Sequence, residues 1–173
     1  MSRAYRVTWV NVASSVTSSD SLKMQLSLLG ILPEGEMAAL LRDELERAGW
    51  ARQPDGALSG RVRGLDATLD AAAQSVTVRA SEEGAVKARG TSDDEARKAL
   101  AAAEAREREA LQASVVGRLS AAEGDLRESM GEAIQRVYVA ALRRKAASMG
   151  EVESEQQTRT ADGEYEVTIK VRV

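Results

Sequence analysis

The 173 residues contain no cysteine, no histidine and no phenylalanine, and only two prolines. Without cysteine there is no disulfide, no thiolate nucleophile and no sulfur ligand for zinc. Without histidine there is no imidazole base and no His-bearing metal site. Aromatic residues make up 3% of the chain, namely Tyr5, Trp9, Trp50, Tyr138 and Tyr165, so the core must be aliphatic and alanine-rich. No basic patch is interleaved with those aromatics, which sets nucleic acid aside as a partner. The longest apolar run, Leu28 to Pro33 broken by Gly30, is too short to span a bilayer. The N-terminal stretch alternates and carries arginine, unlike a signal peptide. These absences predict a soluble cytoplasmic protein with no cofactor, no metal and no nominated catalytic residue.

What is present is a long helical segment, Ser92 to Met149, rich in alanine, leucine, arginine and glutamate and free of proline. Ser92 with Glu95 forms a capping box, and Asp93 and Asp94 place negative charge at the positive helix end. Arg143, Arg144 and Lys145 sit near the other end, and Gly150 supplies a stop. Glu104–Arg108, Glu123–Arg127 and Glu132–Arg136 are i,i+4 pairs in the favourable order. The apolar stripe Leu111, Val115, Leu119, Ala122, Leu126, Met130, Ala133, Val137, Ala141 steps by three or four. Leu119, Met130 and Ala141 mark a period closer to a straight helix than to a strict heptad coiled coil. Gly117, Gly124 and Gly131 interrupt it, each costing about 1 kcal/mol against alanine in a helix interior. A second capping box, Ser120 with Glu123, follows Gly117. An unbroken helix would be roughly 85 Å long, so a helical hairpin turning near Gly117–Ser120 is expected. One long helix, with the glycines as close-contact positions, is the alternative. A hairpin buries its stripe on itself and allows a monomer; the rod is expected to require a second chain, a homo-oligomer through the arm.

The rest of the chain alternates like β-structure. Tyr5, Val7 and Trp9 read as a half-buried strand, Ser14 to Ser21 as a turn or loop, and Leu22, Met24, Leu26 and Leu28 as a second strand. Pro33, with Glu34 and Glu36 behind it, opens a helix whose apolar face is Met37, Leu40, Leu41, Leu45 and Ala48; Gly49 ends it. Trp50 is expected to pack back on that end. Pro54-Asp55-Gly56 is a turn before a short strand from Leu58 to Arg63. Leu65, Ala67 and Leu69, then Val76, Val78 and Ala80, make a hairpin around Ala72–Ser75, with one more short strand through Val86. Asp162-Gly163 marks a hairpin between Val152–Thr160 and Glu164–Val173.

Candidate chemistry is sparse. Gly56, Gly60 and Gly64 recur every fourth residue, but no Gly-Lys-Ser/Thr and no helix follows, so they read as turn and bulge glycines. Asp66 and Asp70 share a strand face and could take a hard cation with Glu82 or Glu83; solvated strand carboxylates are the simpler reading. Val139 and Leu142, off the main helical stripe, and Arg143 beside them are the residues nominated for partner binding.

The segment Gln135-Arg136-Val137-Tyr138-Val139-Ala140, running through Gly150 to an acidic strand, Asp162-Gly163 and a basic-ended last strand, resembles the end of a family of small proteins encoded beside AAA+ ATPases. The Ala4-Tyr5-Arg6-Val7 start, Ile31-Leu32-Pro33 and the Leu65–Val78 hairpin are similar to accessory proteins of bacterial FtsH-type AAA+ ATPase ternary systems. The resemblance covers roughly residues 1–80 and 130–173, with segment 91–125 as an expansion. It implies a non-enzymatic partner of an ATPase and transfers no site residues.

The expected fold is α+β: a mostly antiparallel sheet from both chain ends, one short helix and a long helical hairpin arm. Residues 1–90 and 150–173 form the sheet domain and 91–149 the arm. The expected function is an adaptor or assembly component that binds a protein partner, an AAA+ ATPase; a hydrolase or transferase with an unrecognised Ser/Asp/Glu site is the alternative.

Overall fold

The computed structural model describes residues 8–159 and 165–172. Tyr5 and Val7 of the first expected strand, and the Asp162-Gly163 turn, lie outside them. The element order is β1 (Val10–Gln25), α1 (Glu34–Arg47), β2 (Ala51–Arg52), β3 (Leu58–Val62), β4 (Leu65–Asp70), β5 (Ser75–Gly90), α2 (Asp93–Met149), β6 (Glu151–Arg159) and β7 (Tyr165–Arg172). The α+β class holds, with antiparallel strands contributed by both ends of the chain. Those strands form two sheets rather than one: a five-stranded sheet in the order β1-β5-β4-β3-β2 and a separate β6-β7 ribbon.

The helical hairpin does not form. Residues Asp93–Met149 are one continuous helix of 57 residues. Its N-terminus is capped much as the sequence predicts: the Glu95 amide donates to Ser92 Oγ at 3.3 Å, while the Glu95 carboxylate accepts from the Thr91 amide at 3.0 Å. Of the expected i,i+4 pairs, Arg127–Glu123 and Arg136–Glu132 form, at 2.8 and 3.7 Å. Gly117, Gly124 and Gly131 are neither turns nor close contacts, because a Cβ added at any of them meets no atom within 4 Å. Three glycines spread over a helix this long cost about 3 kcal/mol, less than the burial of the stripe beside them returns. That stripe needs no second chain. Val115, Ala122, Leu126, Ala133, Val137 and Ala141 are fully buried within the single chain, whereas Leu111 is half-buried.

Two compact units share the long elements: residues 1–21 with 79–121, and residues 22–78 with 122–173. In the first, β1 runs straight through the serine-rich segment expected to be a loop. The alternation survives because Ser14, Val16 and Ser18 all point inward, and the serines find partners on α2. Ser14 Oγ donates to the Glu104 carboxylate, and Ser18 Oγ donates to Gln112 Oε1 at 2.6 Å. On β5 the inward positions are Ala80, Glu82, Gly84, Val86, Ala88 and Gly90, and Arg118 donates to Glu82 at 2.8 Å. The expected short strand through Val86 is therefore the second half of a 16-residue strand.

In the second unit α1 begins at Pro33 and buries Met37, Leu40, Leu41 and Leu45, while Ala48 is exposed. Gly49 adopts φ 92°, and the Trp50 amide donates to the Leu45 carbonyl at 3.0 Å, so the helix closes in a Schellman motif. Trp50 then lies on Gly60 of β3, where an added Cβ would come 2.5 Å from the indole. β3 and β4 pair from Leu58↔Leu69 to Val62↔Leu65. Arg63 (φ 49°) and Gly64 (φ 79°) between them make the two-residue turn with both φ positive that suits twisted strands. β6 and β7 pair from Glu151↔Arg172 to Arg159↔Tyr165, with a bulge between Val152 and Ser154.

Candidate functional site

An open groove of about 1700 Å³ lies wholly in the second unit. One wall is the face of α2 next to its buried stripe. Gly131, Gln135, Tyr138 and Leu142 recur there at helical spacing, with Val139 and Arg143 alongside. The other wall is α1, through Leu40, Asp43, Glu44 and Arg47, with Leu29 and Ile31 from the preceding loop. Gln157 of β6 and Val167 of β7 close one side.

Ion pairs fix the geometry of these walls. Glu44 sits on the apolar stripe of α1 and is only 8% exposed, a position that demands compensation. Arg47 takes one of its carboxylate oxygens and Arg136 of α2 approaches the other at 3.4 Å, so the groove walls are bolted across. Arg144 reaches Glu36 at 3.8 Å. Tyr138 locks the loop: its hydroxyl donates to the Ser27 carbonyl and accepts from the Leu29 amide, both at 3.1 Å.

Of the three residues nominated for partner binding, Val139 and Leu142 are half-buried in the groove lining. Arg143 is engaged within the unit: its Nε and Nη2 donate to the two oxygens of Glu155 at 2.7 and 2.6 Å. That fork tethers α2 to β6. The hydrogen bond from Arg143, seconded by one from Gln157, holds the Glu155 carboxyl below the usual carboxylate range, and the same bond pushes Arg143 up. Sequence reasoning missed Leu29, Ile31, Glu44 and Val167. Glu44 carried a signal, since an acid among Leu40, Leu41 and Leu45 interrupts an apolar face and calls for a cationic partner. Leu29 and Val167 carried none, because only the tertiary fold brings them together.

Asp66 and Asp70 are exposed strand carboxylates. Asp66 lies 3.6 Å from Arg61, and Asp70 accepts from the Ala73 amide at 2.9 Å across the β4–β5 turn. Among the described residues no three acidic side chains converge as metal ligands would, and no helix is long and apolar enough to cross a membrane.

The whole chain, residues 1–173, matches the family model described as FtsH ternary system domain X5. No curated protein and no solved structure matches it.

Proposed function

The chain belongs to the FtsH ternary system domain X5 family, and we propose that it is a non-enzymatic adaptor or assembly component that binds a protein partner, the AAA+ ATPase of such a system, in the cytoplasm. The observation that carries this reading is the groove in the second unit, where apolar Leu29, Ile31, Val139, Leu142 and Val167 alternate with paired charges. Apolar patches rimmed by ion pairs are the usual composition of protein interfaces. A non-enzymatic role is supported by the ion pairing of Glu44 in the groove and of Glu155 beside it. Both oxygens of Glu44 face arginines, and the hydrogen bond from Arg143 favours the charged form of Glu155. The chain acts as a monomer, since its helical stripe is covered from within.

Co-expression with the FtsH-type ATPase of the same system, followed by size-exclusion chromatography, tests the proposal. The two should co-elute, and Val139→Asp with Leu142→Asp should abolish co-elution while circular dichroism stays unchanged. Separate elution of the wild-type chain, or co-elution indifferent to both substitutions, would overturn the groove as the docking site.

A further inference from the structure

The first unit carries a second surface, independent of the groove. β1 is the outermost strand of the five-stranded sheet, and among the described residues no strand pairs with its free side. An open strand edge presents a row of unpaired amides and carbonyls, and proteins ordinarily guard such edges with lysine, proline, a bulge or an inward charge. Val10 to Ser19 has none of these: it reads Val-Asn-Val-Ala-Ser-Ser-Val-Thr-Ser-Ser, regular strand throughout.

The outward face beside this edge is shaped and charged. Asn11 and Ala13 are small, and with exposed Lys87 and Arg89 of β5, and the half-buried Val12 and Ala88 between them, they line a shallow trough of about 520 Å³. Lys87 and Arg89 are exposed on the outward face of β5, and neither meets a carboxylate among the described residues. Glu83 lies on the same face two outward positions beyond Lys87. The Arg89 guanidinium stands 5.1 Å over the ring of Trp9, itself 52% exposed, a contact that favours the cation's position. A strand added to β1 would lie about 9.6 Å from β5, two strand spacings away. Long basic side chains reaching over asparagine and alanine can meet an acid placed there.

We propose that the Val10–Ser19 edge, with Lys87 and Arg89, is a docking site for an extended acidic segment of a partner protein, which adds a strand to the sheet. Main-chain pairing supplies the attachment and the two cations supply the selection for acidic side chains. The uncharged Val10–Ser19 stretch of β1 places no like charge against such a strand.

The probe is a fluorescein-labelled peptide alternating glutamate with valine, compared with its lysine counterpart and with a form methylated on alternate backbone nitrogens. Anisotropy with the full chain should show binding of the glutamate peptide alone. Lys87→Glu with Arg89→Glu should weaken it about tenfold or more, because it replaces attraction by like charge, with circular dichroism unchanged. Backbone methylation should abolish it, since the ladder donors are gone. Equal binding of the lysine peptide would overturn the proposal. So would retention of the methylated peptide, or preference for a single-stranded oligonucleotide over the glutamate peptide, since each leaves only a cationic patch. A doubling of mass at the edge without peptide, blocked by Thr17→Pro, would overturn it in favour of pairing between two copies.

Discussion

One helix and two long strands run through both compact units, yet what lies against the helix differs between them. In the second unit Leu126, Met130 and Val137 of α2 belong to an interior of Met37, Leu41, Leu45, Leu58, Leu69, Val76 and Val78, all at most 2% exposed. In the first, α2 buries Ala96, Val115 and Leu119 and half-buries Leu100, Ala103 and Leu111, and polar side chains of the helix meet the strands between them. Ser14 meets Glu104, Ser18 meets Gln112, and Glu82 meets Arg118. Burial of aliphatic side chains contributes about 1.5–3 kcal/mol each, whereas a hydrogen bond nets about 1 kcal/mol and an exposed ion pair less. Aliphatic burial therefore carries most of the second unit, whereas in the first a smaller set of buried side chains, Val16, Ala80, Val86, Val115 and Leu119 among them, is supplemented by directional contacts.

The largest expected effect tests the aliphatic side. Leu126→Asp places a charge where no water reaches, and should lower stability by several kcal/mol in urea unfolding, with the mass by light scattering unchanged. A fall in mass while helix content persists would show that the stripe is covered by a second chain after all. Next is Gly60→Ala, which drives a methyl into the Trp50 indole; about 1–3 kcal/mol should be lost, with a change in tryptophan emission.

On the polar side Ser18→Ala leaves Gln112 without its donor and should cost about 1 kcal/mol. Ser18→Val together with Gln112→Leu should recover most of that, since both polar partners leave together. Gly117→Ala in the first unit and Gly124→Ala in the second should each raise stability by about 1 kcal/mol, equally, because both sites are open helix surface. Unequal gains would show that the helix is not equally well formed in the two units.

The smallest effect is electrostatic. Hydrogen bonds from Arg118, and next from Ser114, lower the Glu82 pKa, and the Thr91 hydroxyl lowers that of Glu95. A carboxylate with a depressed folded pKa stabilises fully above its unfolded value, about 4.3, and that contribution is lost as pH falls through the folded value. Stability should thus decline below about pH 4.5, and Glu82→Gln should flatten the decline while leaving the curve's alkaline side in place.

The family itself was within reach of the sequence: Ile31-Leu32-Pro33 and the Leu65–Val78 hairpin resembled FtsH ternary system proteins, and the full-length match agrees. Local chemistry was legible too. The capping box at Ser92, the stop at Gly49, the turn before Leu65 and the period of the α2 stripe all depend on residues within a few positions of one another. Three features depended on distant partners and were misread. Ser14 to Ser21 has the composition of a loop, and is strand because Glu104 and Gln112 accept from its inward serines. Gly117 followed by Ser120 has the signature of a helix break, and is overridden because the apolar stripe is buried on both sides of it, at Val115 and Leu119 and at Ala122 and Leu126. The last two strands alternate like members of the main sheet, but among the described residues they pair with each other alone. Propensity and capping act over one turn of chain, so a sequence displays them directly. Whether a marginal break is taken, or a serine finds an acceptor, is decided by burial and hydrogen bonding across long stretches of sequence, and those energies exist only once the tertiary structure has formed.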